Sequence, residues 1–162
     1  MSENVERILK ESGALMEGHF LLSSGLHSPY YMEKCHVLQH PKHTEALCRL
    51  IADRFRNEKP PTVAGPTTGG VIIAYEVARQ LGARGIFAES VKEKPLAQRR
   101  EFRRFSLQPG ERVLVVDDVM TTGGSVQDVL DEVRRLGAVV VGVGLLVDRS
   151  GVKVDFGAPL FS

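Results

Sequence analysis

Two rhythms of apolar residues run along this chain. Val113-Leu114-Val115-Val116 is short, continuous and mostly β-branched, the pattern of a strand buried on both faces. Val126, Val129, Leu130, Val133 and Leu136 then recur at helix spacing. The same alternation can be followed through most of the sequence. Val5 to Ser12 predicts a short amphipathic helix that docks through Ile8 and Leu9 and ends at Gly13. The apolar pieces between Gly18 and Met32 predict two short strands around a Ser-Gly turn. Lys42 to Arg56 predicts a helix with Leu47, Leu50, Ile51 and Phe55 on one side, broken by Asn57 to Pro61. Thr62-Val63-Ala64 predicts a strand, Val71 to Leu81 a helix and Gly85 to Ala88 a strand. Ala138 to Val147 predicts a long apolar strand for the sheet interior. Glu89 to Ser106 has neither period and predicts an unstructured, charged loop.

Chemistry concentrates where strands turn into helices. After the run 113–116 come two carboxylates, Asp117 and Asp118, then Val119, Met120, Thr121, Thr122, Gly123, Gly124 and Ser125. Open α/β sheets bind ligands at the carboxyl ends of their strands. Glycines let backbone N–H groups close on an anion, hydroxyls add donors, and the helix start supplies the positive end of a dipole. The loop is therefore a site for a phosphate. Two acids beside it would repel a phosphate unless they hold something else, and sugar hydroxyls with a hydrated Mg²⁺ fit. Gly65-Pro66-Thr67-Thr68-Gly69-Gly70 is a second strand–glycine loop–helix of the same kind. No Gly-Lys-Ser/Thr follows the strand, which excludes a Walker A loop.

Three further segments have two readings each. Gly18 to Met32 holds two of the three tyrosines and two of the five histidines. It is either a hairpin with buried rings or a small cap over a site. Lys92, Lys94, Arg99, Arg100, Arg103 and Arg104 make 89–106 basic. This is either a solvated face or a loop that closes over a polyanion and excludes water. Asp148-Arg149-Ser150-Gly151 is either a turn with a surface ion pair or a strand end whose guanidinium pairs with a carboxylate.

The segment Val113–Ser125 resembles the phosphoribosyl pyrophosphate (PRPP) signature of type I phosphoribosyltransferases at essentially every position. Phe-x-Leu-x-Ser-Gly-x-x-Ser-Pro-Tyr-Tyr, ending at Tyr30 and Tyr31, resembles the hood of orotate phosphoribosyltransferases, and Leu-Val-Asp-Arg at 146–149 resembles their orotate-contacting segment. The resemblance runs from Gly13 to Leu160. It implies one phosphoribosyltransferase domain over 1–162: a mostly parallel sheet flanked by helices, with an N-terminal hood at about 13–38 and a lid loop at about 89–106. It implies that Asp117 and Asp118 hold the ribose hydroxyls near Mg²⁺, and that residues 119–125 bind the 5-phosphate. Thr68 and Gly69 take the pyrophosphate, and Thr121, Arg149, Ser24, Tyr30 and Tyr31 take orotate. Many relatives carry a lysine where Gly69 stands, so pyrophosphate charge must be met from elsewhere. The lid match is loose, with Ser90 where an Arg is common. Arg99, Arg100 and Lys94 are expected to reach pyrophosphate in the partner subunit's site of a homodimer. The chain ends at Ser162, where relatives continue into another helix and tail. That difference is expected to cost stability or a subunit contact.

Composition narrows the rest. Lys+Arg 21 against Asp+Glu 20 gives no net basic surface, so nucleic acid is not an expected partner. Cys35 and Cys48 lack CxxC spacing and suit a reduced, cytoplasmic setting. No run approaches the ~18 apolar residues of a membrane span. Met1-Ser2-Glu3-Asn4 lacks the basic start of a signal peptide. The activity that the resemblance implies is orotate plus PRPP giving orotidine 5′-phosphate and pyrophosphate, a step of pyrimidine synthesis. The alternatives are transfer to a purine base, or a non-enzymatic PRPP-binding regulator on the same fold.

Overall fold

In a computed structural model of the chain, which describes residues 3–21, 25–92 and 98–162, the first element is helix α1 (Glu3–Glu11). Its apolar stripe buries Val5, Ile8 and Leu9, and the chain turns at Gly13 with φ +69°. Strands β1 (Leu15–Leu21) and β2 (His27–Met32) pair antiparallel, from Leu15 opposite Met32 to Leu21 opposite His27. These are the two strands expected from the apolar pieces. A short helix, α2 (Lys34–Leu38), was not legible in the periodicity, and the Glu33 carboxylate caps it by accepting from the Cys35 N–H at 3.1 Å. Helix α3 (Pro41–Phe55) follows. By its internal contacts the chain divides within α3 into two units, Met1–Leu47 and Cys48–Ser162.

The second unit is built on a six-stranded sheet. After α3 come β3 (Thr62–Pro66), helix α4 (Gly69–Leu81), β4 (Arg84–Lys92), β5 (Gln98–Glu101), β6 (Arg112–Met120), helix α5 (Gly124–Arg135), β7 (Val139–Asp148) and β8 (Leu160–Phe161). The order is β5-β4-β3-β6-β7-β8, and every pairing is parallel except β4 with β5. The mostly parallel sheet flanked by helices is the expected architecture. Residues 113–118 of β6 are buried, as a strand covered on both faces requires. Val113 and Val115 pack with Val126, Val129, Leu130 and Val133 of α5. Leu114 and Val116 point to the other face by the pleat. On β7, a side chain at Gly142 or Gly144 would strike Phe55 or Ile51 of α3, so the glycines in this apolar strand make room for a helix.

The segment 89–106 differs from its expectation. Glu89–Lys92 prolongs β4, and Gln98–Glu101 pairs back on it as β5, with Ser90 opposite Arg100 and Val91 opposite Arg99. Phe102 and Leu107 are buried in the same core cluster as α5, and the Phe87 and Phe105 rings meet edge-on at 5.0 Å. The loop is thus a strand-paired arm with an apolar root. Cross-strand pairing and two isolated apolar anchors outweigh the high charge. Residues 93–97, including Lys94, lie outside the described residues.

At the amino ends of the strands the Glu111 carboxylate accepts from Arg84 at 2.7 Å, from the Gln108 N–H at 2.9 Å and from the Thr62 hydroxyl. Burial pushes this carboxyl up, but these donors outweigh it and hold it below the ordinary range. A carboxyl depressed by folding stabilises above its unfolded pKa and loses that contribution as pH falls through its folded pKa. Glu111→Gln is therefore expected to cost about 1 kcal/mol at pH 7. Urea denaturation at pH 7 and near pH 3.5 checks this: the gap from wild type should shrink at the acidic pH.

Candidate active site

The two glycine loops lie at the carboxyl ends of neighbouring strands, because β3 and β6 pair in parallel with Ala64 opposite Val115. Each opens a helix. Thr68 is the N-cap of α4, and Gly123, with φ +82°, is the N-cap of α5. That backbone conformation suits glycine, and a side chain there would also crowd the Phe156 ring. Two helix N-termini therefore meet at one end of the sheet, a setting that favours an anion.

Asp117 and Asp118 sit between the loops and are 7% and 1% exposed. Asp117 Oδ1 accepts from the Asp118 N–H at 2.9 Å, and Asp118 Oδ1 accepts from the Val119 N–H at 2.6 Å. These bonds fix both carboxylates at the strand end. The Asp118 carboxylate also lies where a Cβ on Gly69 would be, and Asp117 Oδ1 lies 3.1 Å from a Cβ placed on Gly70. A side chain at Gly69 would need the Asp118 carboxylate to move aside, because the acidic pair and the first loop share the same space.

The remaining residues of the signature follow the same geometry. Val119 is half-buried and Met120 buried, while Thr121, Thr122, Gly124 and Ser125 are exposed at the loop and the first turn of α5. The Gln127 N–H donates to the Gly123 carbonyl at 2.8 Å. Arg149 directly follows β7, and its N–H donates to the Met120 carbonyl at 2.8 Å. Its exposed side chain therefore starts beside the 121–125 loop. The Thr67–Thr68 peptide is cis, and the Thr67 N–H donates to the Ala88 carbonyl at 3.1 Å.

The two arginines of β5 part company. Arg100 donates from Nη1 to the Thr67 carbonyl and hydroxyl, each at 3.1 Å, and from Nη2 to the Ser125 hydroxyl at 3.2 Å. Its Nε lies 3.9 Å from Asp128 of α5. Arg99 instead faces carboxylates, Glu101 at 3.4 Å and Glu132 at 3.7 Å. Both border a cleft of about 270 Å³ between β5 and α5, also lined by Asp128, Asp131, Glu132 and Arg135. Burial pushes the Asp128 carboxyl up, against the pull of Arg100. The Arg135 guanidinium, with help from Arg99, holds Glu132 below the usual range.

Thr67 and Asp128 were missed in the sequence. Thr67 adjoins the expected Thr68, so the loop's spacing was a usable signal. Asp128 is one polar residue on an amphipathic helix, and nothing marks it before the fold brings Arg100 to it. Tyr30 and Tyr31 lie in β2 of the N-terminal unit, opposite Glu17 and Met16, with the Tyr31 ring 5.5 Å from that of Phe20. Ser24 lies outside the described residues.

Residues 36–155 match the family model of the phosphoribosyl transferase domain. The orotate phosphoribosyltransferase of Desulforamulus reducens is 51% identical over 96% of this chain and 79% of its own length. That of Thermotoga maritima is 46% identical over 98% of this chain and 82% of its own. Among solved structures, orotate phosphoribosyltransferase from Aeropyrum pernix superposes with a TM-score of 0.74 at 28% identity, covering 90% of this chain and 81% of that one. Adenine phosphoribosyltransferase from Saccharomyces cerevisiae, at 17% identity and a TM-score of 0.72 over 97% of this chain and 98% of that one, shares the fold. With its PRPP signature, its paired glycine loops and relatives near 50% identity over most of their length, the chain belongs to the orotate phosphoribosyltransferase family of phosphoribosyl transferases.

Proposed function

We propose that the protein transfers the phosphoribosyl group of PRPP to orotate, giving orotidine 5′-phosphate and pyrophosphate. The observation that carries this is the meeting of two helix-start loops over one buried carboxylate pair, with Asp118 packed on Gly69. PRPP has two anionic ends separated by a ribose, and this arrangement offers two anion sites separated by hydroxyl acceptors. Orotate as the base is supported by the relatives' names and by Arg149 beside the 121–125 loop.

In this reading the C1–oxygen bond to pyrophosphate breaks with its electron pair leaving on oxygen, and a C1–nitrogen bond to the base forms. Asp117 and Asp118 hold the ribose 2- and 3-hydroxyls and favour the cationic ring that develops between the two events. Residues 119–125 hold the 5-phosphate through backbone N–H groups and the Thr121, Thr122 and Ser125 hydroxyls. Thr68 and Gly69 present the N-terminus of α4 to pyrophosphate. Arg149 pairs with the orotate carboxylate, and Thr121, Tyr30 and Tyr31 are further candidates for base contact. Orotate carries its own negative charge, so little general-base work is needed, and the direct transfer needs no covalent nucleophile. Two buried carboxylates are too few oxygens for a protein cage, so Mg²⁺ would be held by PRPP oxygens and water near Asp117 and Asp118, without a direct protein ligand. When bound, Mg²⁺ neutralises charge on the leaving pyrophosphate.

No helix among the described residues is long and apolar enough to cross a membrane. Neither Cys35 nor Cys48 is in a disulfide, which suits the reduced cytoplasm. A homodimer is the assembly proposed from the family resemblance.

Supplying PRPP and Mg²⁺ with orotate, uracil, adenine or hypoxanthine, and following pyrophosphate release, tests the reading. Orotate is expected to support release at least about a hundredfold faster than the others, since a site built to pair with a substrate group discriminates strongly against bases that lack it. Release with adenine or hypoxanthine alone would make this a purine enzyme. PRPP binding without release for any base would make it a regulator.

A further inference from the structure

Arg100 was expected to serve a partner's site, yet its guanidinium joins the two phosphate loops of its own chain. One amino group takes the Thr67 carbonyl and hydroxyl at 3.1 Å, and the other takes the Ser125 hydroxyl at 3.2 Å. Thr67 precedes the first turn of α4, and Ser125 belongs to the first turn of α5. The two are separated by 58 positions in the chain and lie on the loops that follow the neighbouring strands β3 and β6. A guanidinium is a rigid, planar fork with fixed donor directions, so one side chain bridging both loops sets their spacing. Two features hold the fork itself. Its backbone is locked in β5, opposite Ser90 of β4, and Asp128 stands 3.9 Å from Nε. The Arg100 side chain is 16% exposed and the Asp128 side chain 29%, so the pair is sheltered but reachable.

We propose that Arg100 is a positioning residue acting in cis: it spans the pyrophosphate loop and the 5-phosphate loop of one chain, with Asp128 as its anchor. The proposal rests on reading those loops as phosphate sites. It differs from a lid arginine that only touches pyrophosphate, because a strut between loops preorganises both ends of the site. Arg99, turned to Glu101 and Glu132, has no part in it.

Calorimetric titration of the full chain with pyrophosphate and, separately, with orotidine 5′-phosphate tests this. Wild type should bind both; if it binds neither, the phosphate-loop reading fails and not the strut. Given binding by wild type, Arg100→Ala should weaken both ligands by at least about fivefold, the lower end of ordinary coupling between sites. Arg100→Lys, which keeps the charge but not the fork, should restore less than half of the lost binding free energy for either ligand. Asp128→Asn should weaken both in the same direction by a smaller factor. Weakening of pyrophosphate alone, or full restoration by lysine, would overturn the strut. A mixing experiment fixes the subunit. Hybrids of an Asp117→Asn/Asp118→Asn chain with an Arg100→Ala chain should stay at the activity of their parents, since each site then carries one lesion. Recovery towards half of wild-type activity would mean donation between subunits and would contradict the proposal. Should Arg100→Ala fail to fold, Arg100→Lys and Asp128→Asn carry the same comparisons.

Discussion

Replacing Asp117 and Asp118 together by asparagine is expected to leave a folded protein whose PRPP-dependent turnover falls at least about a hundredfold, the size found for preorganised charge in active sites. The fold should survive for a structural reason. Each carboxylate accepts a backbone N–H through Oδ1, from Asp118 and from Val119, and an asparagine oxygen can accept the same bond. The substitution also removes two neighbouring buried charges, which are costly to keep without a ligand. On the proposed mechanism, what it removes is the negative field beneath the ribose. Initial rates and urea denaturation on the same preparation separate the two effects. Near-normal turnover by a stable double variant would take these carboxylates out of the mechanism.

Arg149→Ala should raise the KM for orotate roughly ten- to a hundredfold, as loss of a charge-assisted pair of about 1.5–3 kcal/mol implies. The KM for PRPP should change by less than about twofold, because the residue's structural tie is its backbone. The Arg149 N–H donates to the Met120 carbonyl, and alanine keeps that bond. The exposed guanidinium has no core role to lose. Separate titration of each substrate in steady-state assays gives the two constants. Equal rises in both would mean that Arg149 shapes the PRPP loop and does not read the base.

The strand, acidic pair, glycine loop and helix of residues 113–125 were legible in the sequence because the pattern is contiguous. Strand, acidic pair, glycines, hydroxyls and helix all fall within residues 113–125, and local spacing carries the whole pattern. The helices and parallel strands were legible for a similar reason, since their periods are local. Gly69 was visible only as an oddity. The space beside it is filled by the Asp118 carboxylate, 49 positions away, which no local pattern encodes. The arm at 89–106 was misread because β5 is made by pairing and not by period. Gln98-Arg99-Arg100-Glu101 contains no apolar residue, and its strand character comes from β4 alone. The role of Arg100 is likewise a matter of distance, with partners 33 and 25 positions away. Strand β8, two residues long, is too short to announce itself.

On the proposed function, both loops and the acidic pair form one site for the two halves of PRPP. Pyrophosphorolysis of orotidine 5′-phosphate tests it most directly, because nucleotide and pyrophosphate must occupy the two loops at once. With Mg²⁺ present, orotate absorbance should appear only when both are supplied, with one PRPP formed per orotate. No orotate from a folded protein, or orotate released equally well without pyrophosphate, would contradict it.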